Sequence, residues 1–494
     1  MSLSGGPAGS AGPSPWCQVL ETHSGAVVLL GDRAYKVKKP VDLGFLDFRE
    51  LGARRRVCER EVALNRRLAP DVYLGVGELR DPDGTAEPVV VMRRMPDELR
   101  LSRLVRSGTD VTEVVREVAR RVAAFHAAAP TCAAIAAQGT RDALRRRWDA
   151  NLAQAAPFAD RLLDRGTLDE IAALVHRFLD GRSALFDDRI GRGAVVDGHG
   201  DLTPDDVFCL PDGPRLLDCL EFDDALRYVD RLDDIAFLAM GLEDLGAAGA
   251  ARLLIETWAE YVDDPAPASL VHHFIAYRAF VRAKVGCLQG AQHRVAVRTG
   301  VGAYADAALA HLRAGAVTLV LVGGAPGTGK STLAGAVADR LGMSVLGSDR
   351  IRKELAGMDP ESSAAARFGA GIYDAEHSRA VYAVLLRRAG LLLGRGESVV
   401  VDATWGGAEE RHRARELARA LSTDVVELRC EVDADTAAAR IARRRGVSDA
   451  DAEVAARWRL SAAPWPASHA VDTARPIGEC VDAACALVRP ARGH

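Results

Sequence analysis

Two apolar-rich runs near the start, GAVVLL (25–30) and AYKVKK (34–39), flank a short GDR turn, and this pattern predicts a β-hairpin. ARRRVCEREVALNRRL (53–68) has its apolar positions at helical spacing. EPVVVMRRM (87–95) reads as a buried strand, and residues 101–190 are predicted helical. Short strands return over 193–222, where RLLDCLEF after a PDGP turn places Asp218 on a strand; 230–312 is helical again. The periodicity then changes. AGAVTLVLVGG is an apolar strand running into a glycine loop and the helix STLAGAVADRL, followed by MSVLGSD, ESVVVDAT and DVVELRCEV as strands between helices. Such alternation predicts an α/β P-loop domain with a mostly parallel sheet, preceded by an α+β domain. The expected layout is a disordered tail over 1–15, a first domain over 16–312 and a second over 316–490.

Bulk properties narrow the setting. A chain of 494 residues is too long for one ordinary core. A net charge of −4 gives no basic field for nucleic acid. No apolar run approaches the ~18 residues of a membrane span, and the first residues lack the features of a secretory signal. Nine Cys occur without metal-ligand spacing, as expected of scattered reduced thiols in a cytoplasmic protein. Arg carries nearly all the basic charge: only positions 36, 38, 39, 284, 330 and 353 are Lys. Where Arg is the default cation, Lys points to sites that need a compact ammonium.

GAPGTGKS (324–331) is a complete P-loop in strand–loop–helix context. Gly324, Gly327 and Gly329 let backbone N–H groups curl around phosphates, Lys330 reaches the β- and γ-phosphates, and Ser331, followed by Thr332, opens the helix and ligates Mg²⁺. Asp402, ending VVVD, is suited to the Mg²⁺ water shell or to capping its strand. In SDRIRKEL, Asp349 and Arg352 stand where small-molecule kinases receive an acceptor; Asp349 as a helix N-cap is the alternative. ARIARRRG (439–446) is either a cationic lid or a solvated face.

HGDLTPDD (199–206) reads like the catalytic loop of a kinase, with Asp206 where Asn is usual. In such a site Asp201 is the base, Asp206 and Asp218 hold the metal, and His199 braces the loop. Asp is a hard oxygen ligand, so the exchange permits Mg²⁺ and makes a cation among the three carboxylates obligatory. A strand Lys paired with a helix Glu is expected upstream. Lys36 and Lys38 share one strand face, with Lys36 favoured; Glu61 is the partner and Glu59 the second choice. VVVMRRM becomes the adenine-side strand. The acid-rich EFDDALRYVDRLDD offers Asp223, Asp224, Asp230, Asp233 and Asp234 either to a polycationic acceptor or to caps and ion pairs with Arg227 and Arg231.

H-G-D-L followed by D-x-x-E-F, with EREVALNRRLAP upstream, resembles aminoglycoside phosphotransferases and choline-kinase-like proteins over roughly residues 20–300. The P-loop part, about 316–475, resembles the zeta-toxin-like and chloramphenicol phosphotransferase-like kinases. The pairing is similar to bacterial bifunctional aminoglycoside phosphotransferase/ATP-binding proteins. What the resemblance implies is a protein-kinase-like first domain, ATP and Mg²⁺ as cofactors, and transfer of a phosphoryl group to a small-molecule hydroxyl such as that of an amino sugar or aminoglycoside. No nucleic-acid or membrane partner is expected. The alternative is a nucleotide sensor: a silent kinase-like half and a slow P-loop ATPase. The G-x-G-x-x-G of protein kinases is replaced by THSGAVVLL.

Overall fold

The computed structural model describes residues 17–21, 25–41, 47–80, 84, 86–293, 298–359, 374–443 and 452–489. The predicted tail 1–15 lies outside them. The chain forms two compact units that interleave in sequence: residues 1–140 with 189–265, and residues 141–188 with 266–494. The helices of 141–188 and 266–314 therefore group with the P-loop part.

The first unit is α+β. Strands β1 (Gln18–Glu21), β2 (Gly25–Leu30), β3 (Arg33–Lys38), β4 (Tyr73–Arg80) and β5 (Ala86–Arg93) form an antiparallel sheet in the order β1-β2-β3-β5-β4. The predicted hairpin is β2–β3, and the 87–95 strand is β5. Helix Leu51–Asn65 lies between β3 and β4 in sequence, and its Cys58 and Val62 pack with Ala34, Val72, Tyr73, Val90 and Met92. Beyond it come helices, the antiparallel pairs β6 (Val195–Asp197) with β9 (Tyr228–Asp230) and β7 (Val207–Leu210) with β8 (Gly213–Leu216), and more helices. Here the structure corrects the sequence: β8 ends at Leu216, so Asp218 is not on a strand. It lies just past the strand with φ +62°, in the left-handed region that a non-glycine residue enters only when its surroundings hold it there.

The second unit is α/β. Strands β10 (Thr318–Gly323), β11 (Ser344–Gly347), β12 (Val399–Asp402), β13 (Asp424–Glu431) and β14 (His469–Asp472) pair parallel throughout, in the order β11-β12-β10-β13-β14. β10 is buried at every position, as the centre of a sheet covered on both faces must be. Its side chains pack with Leu333 and Val337 of helix Lys330–Leu341 and with Val481 and Ala484 of helix Ile477–Val488. No described helix is long and apolar enough to cross a membrane.

Candidate functional site

In the first unit β3 presents Lys36 and Lys38 on one face, and helix Leu51–Asn65 aims Glu61 between them. Lys36 Nζ is 2.8 Å from Glu61 Oε1, and Lys38 Nζ is 2.7 Å from Glu61 Oε2. Each lysine also takes a second carboxylate: Lys36 reaches Asp218 at 2.6 Å and Lys38 reaches Glu221 at 2.5 Å. The two pairs differ in exposure. Lys38 and Glu61 are sealed, at 2 % and 0 %, whereas the Asp218 side chain is 54 % exposed. Burial alone would lower the Lys36 pKa, but Asp218, Glu61 and Glu221 together raise it well above the ordinary value, so Lys36 stays a cation. Lys36 in turn holds the Asp218 carboxyl below its usual range.

The bend at Asp218 has identifiable supports. Its N–H donates to Tyr73 Oη (3.2 Å), and the next N–H, of Cys219, donates to Asn65 Oδ1 (2.9 Å). The 199–206 loop is braced from below. Asp234 Oδ2 accepts the His199 N–H (2.7 Å), and Asp234 Oδ1 accepts the Gly200 N–H (2.8 Å). Trp258 Nε1–H donates to His126 Nδ1 (3.0 Å), which leaves His126 Nε2–H to donate to Asp234 Oδ2 (3.0 Å). His199 is buried and its Nε2 meets the Leu217 carbonyl at 3.0 Å; burial lowers its pKa. Asp201, next in the loop, is exposed.

Asp206 accepts a hydrogen bond from Thr203 Oγ1 (2.5 Å). Burial first, then the Asp218 charge, with a further push from Asp201, raises its carboxyl pKa well above the ordinary value. A cation between Asp206 and Asp218 would relieve that repulsion, and both offer hard oxygens; the donor set therefore fits Mg²⁺. Among the described residues no group of three or more His, Cys, Asp or Glu is placed to hold a metal ion by itself. Two carboxylates completed by phosphate oxygens and water are the usual magnesium arrangement.

The acid-rich stretch is spoken for within the protein. Asp223 and Asp230 cap helices Asp224–Arg227 and Arg231–Asp244, Asp224 pairs with Arg227 and Arg60, and Asp230 pairs with Arg189. Asp233 and Asp234 are buried. Caps, ion pairs and hydrogen bonds thus account for Asp223, Asp224, Asp230 and Asp234.

In the second unit, sheet register sets Val322, Gly347 and Asp402 level with one another. The P-loop, Asp402 and helix Ser348–Leu355 thus leave the sheet at one edge, the carboxyl end where α/β proteins place ligands. Gly324, Gly327 and Gly329 all have positive φ. A Cβ at Gly324 would come within 2.5 Å of the Cys430 carbonyl, and one at Gly327 within 2.6 Å of the Ala437 carbonyl. Lys330 Nζ donates to the Ala325 carbonyl at 3.0 Å, across the loop. Ser331 and Thr332 are exposed in the first turn of helix Lys330–Leu341. Asp349 is in the first turn of helix Ser348–Leu355, whose N-cap position is Gly347, and Arg352 is buried and donates to Ser378 Oγ (3.3 Å). Helix Ala434–Arg443 packs on the P-loop: Arg440 donates to the Thr473 carbonyl (2.8 Å), and Thr473 Oγ1 donates to the Thr328 carbonyl (2.7 Å). The rest of the suggested lid, 444–446, is outside the described residues.

Comparison with known proteins extends this picture. Residues 319–464 match the AAA domain family, so the second unit carries a P-loop nucleotide-binding domain. Over 479 residues the chain is 44 % identical to the uncharacterized protein Rv2004c of Mycobacterium tuberculosis (strain H37Rv), covering 97 % of this chain and 96 % of that protein. Uncharacterized protein Mb2027c of Mycobacterium bovis is equally similar, 44 % over the same span. The chain belongs to the family of these mycobacterial proteins. Among solved structures, a choline/ethanolamine kinase family protein from Mesorhizobium loti is 17 % identical, covering 62 % of this chain and 89 % of that one at a TM-score of 0.37. A sugar kinase from Janibacter sp. HTCC2649 is 19 % identical, covering 36 % and 97 % at a TM-score of 0.28.

Sequence reasoning did not find Asp234 as the loop's anchor, nor His126, Trp258, Asn65 and Tyr73 as supports. The D-x-x-E spacing did contain Glu221, the second anchor of Lys38, and that spacing was the available signal.

Proposed function

We propose that the protein is an ATP- and Mg²⁺-dependent phosphotransferase that moves the γ-phosphate to a hydroxyl of a small molecule, with an amino sugar or aminoglycoside as the class to try first. The second unit supplies another ATP site of P-loop kinase type. The reading is carried by one observation: Lys36 bridges helix Glu61 and loop Asp218, on the same side as Asp206 and Asp201. That set has a phosphate-binding cation, a carboxylate pair for a metal, and an exposed base.

In this reading Lys36 orients the phosphates, and Glu61 keeps its ammonium in place. Asp206 and Asp218 would hold the magnesium ion, which when bound screens the phosphate charge. Asp201 takes the acceptor hydroxyl's proton as the oxygen bonds to the γ-phosphorus and the bond to the departing ADP oxygen breaks. Asp234 keeps Asp201's loop in place through the two backbone N–H groups before it. In the second unit Lys330, Ser331 and Asp402 hold nucleotide and metal, and Asp349 with Arg352 would face an acceptor.

A second reading, a nucleotide sensor with a silent first site, is favoured by Asp206 and its crowded carboxylates. Incubation with ATP, Mg²⁺ and a panel of aminoglycosides, amino sugars, sugars and nucleosides separates the two, with mass spectrometry reading the gain of one phosphoryl group. A product lost in Asp201→Ala and kept in Lys330→Ala supports the first site as the enzyme. Loss only in Lys330→Ala moves the chemistry to the P-loop. Slow ATP hydrolysis with no phosphorylated acceptor overturns the phosphotransferase in favour of the sensor.

A further inference from the structure

The second unit contains a cavity that the nucleotide site does not use. It is small, with room for about one water-sized occupant, and opens to solvent at its mouth; Arg177, Phe178, Arg182, Ser269, His273 and Asp424 line it. Val317 and Asp424, also on its wall, mark where β10 and β13 begin. The P-loop leaves the far end of β10, about 20 Å away for a six-residue strand.

Arg182 is 1 % exposed, and among the described residues it has no ion-pair partner. Its Nη1 donates to the carbonyls of Gly181 (2.9 Å) and Leu421 (2.8 Å), and its Nη2 to Thr423 Oγ1 (3.1 Å). These carbonyls lie at the ends of helices Arg165–Asp180 and Ala408–Ala420, so helix dipoles offset part of the charge. Among the described residues the Nε–H has no acceptor.

His273, also 1 % exposed, has the same deficit. The indole Nε1–H of Trp148 donates to its Nε2 at 3.1 Å. An indole only donates, so His273 Nε2 is a lone pair and the ring proton is on Nδ1. Burial pushes the pKa down to about 3, which keeps the ring neutral in this tautomer. Among the described residues the Nδ1–H has no acceptor. The ring stacks on Phe178 at 4.4 Å, and the Arg182 guanidinium lies 5.8 Å from the centre of that same Phe178 ring.

Two sealed side chains that line one cavity thus each keep an N–H donor without an acceptor. The charges do not balance either: Arg177 and Arg182 bring two cations, and Asp424, which pairs with Arg177, is the single carboxylate on the wall. A water would accept both hydrogen bonds but leave the buried guanidinium without a counter-charge. We propose that this cavity binds one small inorganic anion, held by Arg182 Nε–H and His273 Nδ1–H, which pins helices Arg165–Asp180 and Ala268–His293 to the base of the P-loop sheet. The site is independent of the phosphotransferase reading.

The test uses the full chain in two ways. Crystals are soaked in bromide, for halides, or selenate, for oxyanions, and anomalous maps are computed. A peak within hydrogen-bonding distance of Arg182 Nε and His273 Nδ1 in either map supports the site and says which class it takes. No peak in either map, with density that refines as water, overturns it. In solution, thermal denaturation of Lys330→Ala protein, whose P-loop no longer contributes, is followed against chloride or phosphate at fixed ionic strength. The melting temperature is expected to rise with anion, and adding Arg182→Lys, which keeps the charge but removes Nε–H, should weaken the response about tenfold, the equivalent of one charge-assisted hydrogen bond. A folded Arg182→Lys protein that responds like its parent, or a parent that does not respond, counts against the proposal. Should Arg182→Lys not fold, the maps on the unaltered chain decide.

Discussion

The two candidate nucleotide sites solve the same electrostatic problem by opposite means. The P-loop is almost entirely backbone and local: three glycines at positive φ, a lysine that bonds to its own loop, and a helix N-terminus, all within eight consecutive residues. The kinase-like site is built from side chains far apart in sequence, with Lys36 meeting a carboxylate 182 residues away. A local site is fixed by glycine geometry and fails when a Cβ is added. A dispersed site is fixed by a network of ion pairs and fails when one charge loses its partners. The duplicated pair at Glu61 shows the distinction inside one site: Lys38 and Glu61 are sealed and anchor the framework, whereas Asp218, the second carboxylate on Lys36, has a half-exposed side chain.

The strongest way to break the comparison is at Asp201, the proposed base. Asp201→Ala should reduce phosphotransfer by the first unit about 10²–10⁴-fold while leaving nucleotide binding intact, as read by product formation and by titration with ATP. Lys38→Met should act on stability instead: removing the cation leaves buried Glu61 and half-buried Glu221 without it, at a cost of about 3–5 kcal/mol read by chemical denaturation. Lys36→Met is expected to destabilise less and to weaken ATP use more. If the two substitutions behave alike, the division between anchor and working lysine is wrong. Lys330→Ala should lower P-loop turnover about 10²–10³-fold and leave the first unit's product unchanged, as read with separate acceptors.

Two smaller effects sharpen the picture of the loop. Asp234's carboxyl is held well below its usual range: burial opposes ionisation, but the bonds from His126 and the His199 backbone overcome it. A depressed folded pKa stabilises above the unfolded value of about 3.9, and that stability is lost as pH falls through the folded value. Asp234→Asn should therefore cost stability at neutral pH, and the gap between wild type and variant in melting temperature should close in acid. Asp206→Asn should have the smallest effect: a modest rise in stability without Mg²⁺, because one of the three crowded charges is gone, and a weaker Mg²⁺ dependence of turnover.

How much of this was legible depended on how far the relevant interaction reaches along the chain. β2, β3, β5 and β10 could be read because their apolar runs and turns are contiguous. β1 and β4 were not anticipated. β1 is four residues long and exposed at each one, and β4 has only Tyr73 buried, so neither carries the hydrophobic signature of a strand. Their pairing comes from the neighbouring strands. Asp218 was placed on a strand because RLLDCLEF is apolar enough to continue one; tertiary hydrogen bonds from Asp218 and Cys219 to Tyr73 and Asn65 instead end it and turn the chain.

The sequence by itself determined the P-loop, the change of periodicity before β10 and the pool of charged residues from which the first site is drawn, because each depends on neighbours within a few positions. Only the tertiary structure decided which lysine faces which acid, that Asp234 braces a loop rather than lining a pocket, and that the helices of 141–188 and 266–314 belong with the P-loop unit. Those outcomes depend on which groups are buried together. Burial fixes whether a charge must be paired, capped or left to meet a ligand, and it is a property of the packed chain rather than of any short stretch of it.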